Sequence, residues 1–159
     1  MMNSKSAMPE FALDDLNRKM LEMLHQNGRL SYTDIGRELG LSRVAVQNRV
    51  SAMVESQVIE RFTIVVNPSK VGIHVSAFFH VEVEPAQVEF VAMSLVNETS
   101  VTSLYHMTGP STLHMHAVFH DNDELESFLH DKLYALDGVT HVECQLLLKR
   151  YKSRIGLML

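Results

Sequence analysis

Apolar positions in the first sixty residues recur at helical spacing in three short groups. Leu13, Leu16, Met20, Met23 and Leu24 form the first stripe. Asp14 and Asp15 stand in its opening turn, and Gly28 is the expected stop. Ser31 caps a second stripe built on Ile35 and Leu39 and closed by Gly40. Ser42 caps a third, in which Val46, Val50, Met53 and Val54 share a face. Neither of the last two is long enough to stand alone in water, so both must pack on their neighbours. The next run, "VIERFTIVVNP", alternates loosely in β-favouring residues and predicts a strand or small wing.

Beyond residue 68 the period changes to two. Val75, Ala77, Phe79, Val81 and Val83 fall on one face of a strand, and a helix with Val88, Val91, Ala92 and Leu95 follows Pro85. Residues 101–108 and 113–120 predict a second and a third strand, the third with Leu113, Met115, Ala117 and Phe119 inward. Asp121 and Glu124 have capping-box spacing. They open a helix with Leu125, Phe128, Leu129, Leu133 and Leu136 on its buried side, ended by Gly138. "HVECQLLLKRY" is the fourth strand. The order βαββαβ predicts a ferredoxin-like fold, with both helices on one face of a four-stranded antiparallel sheet.

The other sheet face is then uncovered. Alternation places on it Phe78, His80 and Glu82, then Leu104 and His106, then His114, His116, Val118 and His120, and last Val142, Cys144, Leu146 and Leu148. A face so rich in apolar groups marks an interface, and a homodimer is expected. The chain therefore reads as α+β with two domains, 1–67 and 68–159, joined at the turn-rich "VNPSKVG".

A short helix, a tight turn and a second helix with a polar outer face make a helix-turn-helix. On the third helix, Val44, Gln47, Asn48 and Ser51 point away from the apolar face at about 100° per residue. Asn and Gln there can make paired hydrogen bonds to adenine in the major groove of double-stranded DNA. Phosphates need positive charge and donors. Arg43, Arg49 and Arg61, with Ser31, Thr33 and Ser42, complete the expected DNA-binding set.

Charge and histidine divide along the same line. Residues 1–67 hold 8 Lys/Arg and 8 Asp/Glu, residues 68–159 hold 6 and 11, and 8 of the 9 histidines lie in the second part. The first domain is thus neutral overall, and a basic DNA-facing side requires its acids to lie elsewhere. Asp14, Asp15 and Glu22 do gather on the first helix. Cys144 is the only cysteine, which excludes an internal disulfide and fits a reducing cytoplasm. No apolar run approaches the length of a membrane span.

With "LDDLNRKMLEML", "NGRLSYTDIGRELGLSRVAVQNRV", "VIERFTIVVNPSKVG" and "HMTGPSTLHMHAVF" in this order, the chain resembles the Lrp/AsnC (feast/famine) transcriptional regulators from about Leu13 to Leu159. The resemblance implies an N-terminal winged helix-turn-helix and a C-terminal ligand-binding (RAM) domain. It also implies dimers that often assemble to octamers, and an amino-acid or other small effector held between dimers. It places effector contacts at His106, Gly109, Pro110, Ser111 and Thr112. Three departures stand out. Asn17 replaces the usual Asp, Gly36 the usual Ala and Gln57 the usual Gly. Where the family often reads Gly-x-Tyr-Asp, this chain reads Gly109-Pro110-Ser111-Thr112, without the acid that would meet an ammonium group.

The histidines of the uncovered face admit two readings. They can fill a semi-polar, pH-sensitive interface, or converge on a divalent metal or haem. No Cys or carboxylate completes a recognisable ligand spacing, so neither a metal nor a cofactor is expected. Motifs for catalysis (a P-loop, GxSxG, HExxH or paired cysteines) are absent, and the protein is not expected to be an enzyme. The alternative is a sirohaem- or haem-related enzyme, or a metal- or haem-binding protein, built on the same fold.

Overall fold

The structure, a computed structural model, describes residues 11–109 and 112–151. It divides into two compact units, the chain passing from one to the other at Ile64 and Val65. No helix among the described residues is long and apolar enough to cross a membrane.

The first unit holds α1 (Asp15–Gln26), α2 (Tyr32–Leu39) and α3 (Arg43–Glu55). Each opens on a side-chain cap. Asp14 accepts from the Asn17 amide, Ser31 from Asp34 and Ser42 from Ala45. The Ser31 hydroxyl also donates to the Asp34 carboxylate at 2.6 Å. Met20, Leu24, Ile35, Val46, Val50 and Met53 form the buried core. Gly40 ends α2 in the left-handed region at φ 68°. The same turn explains Gly36. A Cβ there would stand 2.5 Å from the Leu41 carbonyl oxygen, so the turn backbone closes on a position that only glycine leaves open. The expected stop at Gly28 is corrected. The helix ends one residue earlier at Asn27, whose backbone is extended and whose side chain accepts from the Arg29 amide.

After α3, Gln57 takes φ 61°, the one non-glycine residue with positive φ among those described. The Ile59 amide then donates back to the Met53 carbonyl at 2.9 Å and the Gln57 amide to Val54 at 3.0 Å, the closing pattern that favours glycine. Left-handed backbone costs an L-residue roughly 1–2 kcal/mol, partly offset because glycine has more freedom to lose on folding. Gln57→Gly is therefore expected to stabilise this unit by about 0.5–1 kcal/mol, read as a higher urea midpoint with unchanged slope. An unchanged or lower midpoint would contradict the assignment.

The predicted strand or wing in 58–67 does not form. Residues 60–67 are irregular, with Ile64 and Val65 81% and 72% exposed. A strand needs a hydrogen-bonding partner, and no described residue pairs with this run.

The second unit is the expected βαββαβ fold. Its elements are β1 (Val75–Val83), α4 (Val88–Val96), β2 (Val101–Met107), β3 (Thr112–Phe119), α5 (Asn122–Ser127) and β4 (Val139–Leu146). α5 runs on into a wider-wound turn, Phe128–Leu133. The sheet is antiparallel in the order β2-β3-β1-β4. Both helices cover one face, burying Ala77, Phe79, Val81 and Val83 of β1 with Leu113, Met115, Ala117 and Phe119 of β3, Val91 and Leu95 of α4, and Leu125, Phe128 and Leu133.

The edge strands correct the expected open face. A register shift between Val101 and Ser103 breaks the alternation of β2, so Val101 and Leu104 both pack on the core. Ser103, Tyr105 and Met107 then face outward, and His106, opposite buried Leu113, leaves the open face. On β4, Val142 lies opposite Val81 and Cys144 opposite Phe79, on the core side, and Leu146 opposite Ala77. The outward residues of that strand are His141, Glu143 and Gln145. Leu148 lies beyond the strand.

Candidate nucleic-acid interface and effector site

Val46, Val50 and Met53 fix the buried side of α3, which leaves Val44, Gln47, Asn48 and Ser51 exposed on the opposite side. Arg43 is exposed in the first turn, where Ser42 caps. Thr33 is exposed in the first turn of α2, and Arg61 in the irregular run after α3. Of the expected set, Arg43, Val44, Gln47, Asn48 and Ser51 are exposed on one helix, Thr33 and Arg61 are exposed elsewhere in the unit, and two residues are otherwise engaged. The Ser31 hydroxyl already serves Asp34. Arg49 turns inward: its Nη1 donates to Asp14 Oδ2 at 2.6 Å and to Asn17 Oδ1 at 3.0 Å. That guanidinium holds the Asp14 carboxyl below its usual range, helped by the Asn17 amide. Arg49, expected on phosphate, is thus paired within the unit. Sequence gave no sign of this, because the partners stand more than thirty residues away in the chain.

Around the expected effector loop, His106 is exposed near the C-terminal end of β2 and Gly109 is exposed at φ 128°. Thr112 is buried at the start of β3, 6% exposed, with Glu82 and Met107 as its cross-strand neighbours. Pro110 and Ser111 lie outside the described residues.

The open sheet face carries four histidines, His80, His114, His116 and His141. His80 and His114 are cross-strand partners with ring centroids 5.9 Å apart, and His114 and His116 stand 6.1 Å apart. His116 lies edge-on to Phe78 at 4.0 Å. Desolvation, and then the neighbouring His114, push the His116 pKa down. Among the described residues no three His, Cys, Asp or Glu side chains form a group able to hold a metal ion. His120, expected on this face, is drawn away. Its backbone amide donates to Glu124 Oε2 at 2.6 Å and its Nδ1 lies 2.8 Å from the same oxygen, which lowers the Glu124 pKa. Ser103, Tyr105 and Met107 of β2 and His141, Glu143 and Gln145 of β4 are the members of this face that sequence alternation missed. Only the register shift in β2 and the pairing of β4 reveal them.

A capped helix-turn-helix beside a ferredoxin-like domain defines a class, the one-component DNA-binding regulators with a sensing domain. Residues 13–54 match the AsnC-type helix-turn-helix domain and residues 76–157 the Lrp/AsnC ligand-binding domain. The chain belongs to the Lrp/AsnC family of transcriptional regulators. It is 34% identical over 135 residues to the uncharacterized HTH-type transcriptional regulator PH0140 of Pyrococcus horikoshii, covering 85% of each chain. It is also 34% identical over 141 residues to the HTH-type transcriptional regulator Ptr1 of Methanocaldococcus jannaschii, covering 89% of this chain and 95% of that one. The E. coli AsnC structure shares the fold at a TM-score of 0.84 and 24% identity, over 92% of this chain and 99% of that one. A Neisseria meningitidis transcriptional regulator in complex with L-Met does so at 0.85 and 24%, over 92% and 96%. These matches place the chain among regulators and give no support to the sirohaem-type enzyme alternative.

Proposed function

We propose that the protein is a homodimeric, effector-responsive regulator acting in the cytoplasm, and that it reads its operator with the outer face of α3. The observation that carries this reading is the polar surface of Gln47, Asn48 and Ser51 on a helix fixed by its own apolar side. Arg43 and Arg61, with no ion-pair partner among the described residues, supply the phosphate contacts, and Thr33 at the start of α2 adds a donor. The test is enrichment of duplexes from a random pool, followed by binding to the enriched and a shuffled duplex. Affinity that is equal for both would defeat the reading.

Dimerisation follows from the open sheet face, which exposes Tyr105 and Met107 beside half-buried Phe78 and Val118. A monomer mass at micromolar concentration would defeat it. Further assembly, up to an octamer, would bring the loop of residues 106–112 of two dimers together.

The effector is a small molecule held at that loop. Gly109 permits close backbone approach, and the likeness to a regulator seen with L-Met supports an amino acid. A ligand that binds only the folded state raises stability by about 2.7 kcal/mol at one hundred times its Kd. At least one of the twenty amino acids is therefore expected to raise the melting temperature of the full chain. If none does at millimolar concentration, the effector belongs to another chemical class.

A further inference from the structure

We infer that Asp14, Asn17 and Arg49 form a positioning device that sets the roll of α3, and with it the aim of Asn48 and Gln47. The inference rests on the reading of α3 as the DNA-contacting helix. Three hydrogen bonds close a ring between the start of α1 and the middle of α3. Asp14 Oδ1 accepts from the Asn17 amide at 2.7 Å, Asp14 Oδ2 from Arg49 Nη1 at 2.6 Å, and Asn17 Oδ1 from the same Nη1 at 3.0 Å. Asn17 is 4% exposed, so its side-chain oxygen is placed away from water and matched to this one donor.

The apolar contacts of Val46, Val50 and Met53 hold α3 against the core but resist rotation weakly, because burial is not directional. Hydrogen bonds are directional, and a charged donor strengthens them. A side-chain tip at about 6 Å from the helix axis moves about 1.5 Å when the helix rolls by about 15°, enough to lose a base-edge hydrogen bond. Arg49 directly follows Asn48, so the ring anchors α3 at the height of the base-reading residues. Asn17 also keeps the ring neutral: Asp14 and Arg49 cancel, and a second carboxylate would leave net negative charge beneath a DNA-facing helix.

The experiment uses the full chain, the duplex that the wild type enriches from a random pool, and a shuffled duplex of equal composition. Three substitutions break the ring differently. Asp14→Ser keeps a good helix cap but removes the acceptor for Arg49. Arg49→Met removes the donor and keeps the packing. Asn17→Leu removes the buried oxygen, and Asn17→Asp restores one. Asp14→Ser, Arg49→Met and Asn17→Leu are each expected to reduce the preference for the enriched duplex by about fivefold or more, the low end of one base contact. The salt dependence should not change, and the Asp14→Ser/Arg49→Met pair should be no worse than either alone. Asn17→Asp should keep the preference.

Unchanged preference in the first three variants, measured well below their melting temperatures, overturns the inference and leaves the ring a support of stability only. An Arg49→Met variant that weakens both duplexes equally, with a salt slope reduced by about one, overturns it in favour of a direct phosphate contact. A wild type that enriches no duplex defeats the DNA-contacting assignment of α3 itself, and the positioning role with it.

Discussion

Asn48→Ala will weaken binding to the selected operator by about 5- to 150-fold, the 1–3 kcal/mol that a paired amide–adenine contact contributes, while leaving binding to shuffled DNA nearly unchanged. Asn48 stands on the exposed side of α3, opposite buried Val46 and Val50, so truncation would remove the proposed groove contact without opening a cavity. Arg43→Ala will behave differently. Its charge lies in the exposed first turn of the same helix, and the proposed role for it is a phosphate contact rather than a base contact. Affinity should fall for every sequence, and the slope of log affinity against log salt should flatten by about one. Fluorescence anisotropy across a salt series reads both quantities. If Asn48→Ala lowers both duplexes equally, the amide is not reading a base.

Dimer affinity will fall at least about tenfold between pH 8 and pH 5.5. The open sheet face holds His80, His114, His116 and His141, and its acids are Glu82 and Glu143. In register, Glu143 lies beside His80 and Glu82 beside His141. His114 lies between His80 and Tyr105, and His116 between Phe78 and Ser103, with no acid opposite either. Already within one protomer, burial and then His114 hold the His116 pKa below its ordinary 6.5. A second copy on this face, as proposed above, would remove more water and add the same histidines again, which would depress it further. A base whose pKa is lowered in the associated state stabilises that state fully above the ordinary value, and loses the contribution as pH falls through the lowered one. Each unit of depression is a factor of ten in association. Sedimentation at pH 8, 7, 6 and 5.5 gives the constants, and His114→Gln with His116→Gln should flatten the profile. An unchanged dimer fraction across this range would mean that the two rings are solvated or acid-paired in the dimer.

Local signals were legible in the sequence and long-range ones were not. Ser31, Gly40 and Ser42 were read as caps because a cap needs only its own three or four neighbours. The core face of β1 and β3 was read from alternation, since central strands with one buried face keep a strict period of two. Alternation alone puts Leu104 and His106 on the wrong face because one register shift inverts every later residue of a strand. Cys144 and Val142 differ for a related reason: a register shift beside Val83 lies near the start of β4, and which phase of the later residues meets the helices is decided by β1 across the sheet. On α3, the exposure of Val44, Gln47, Asn48 and Ser51 follows from helical geometry alone. The commitment of Arg49 does not, because only tertiary packing brings Asp14 and Asn17 to it.

The strand order also fixes a sequence of events in folding. α1, α2 and α3 meet partners that are close in the chain, and closing short loops costs little entropy. The sheet is different. β1 pairs on one side with β3 and on the other with β4, so Ala77 waits for both Ala117 and Leu146. Nearly the whole second unit must leave the ribosome before that central strand is enclosed. Non-local pairing of this kind is slow, so the helical unit will be formed while β1 still exposes Phe79 and Val81 to solvent. Nascent chains halted before β4 should therefore protect α3 from proteolysis while β1 remains cleavable.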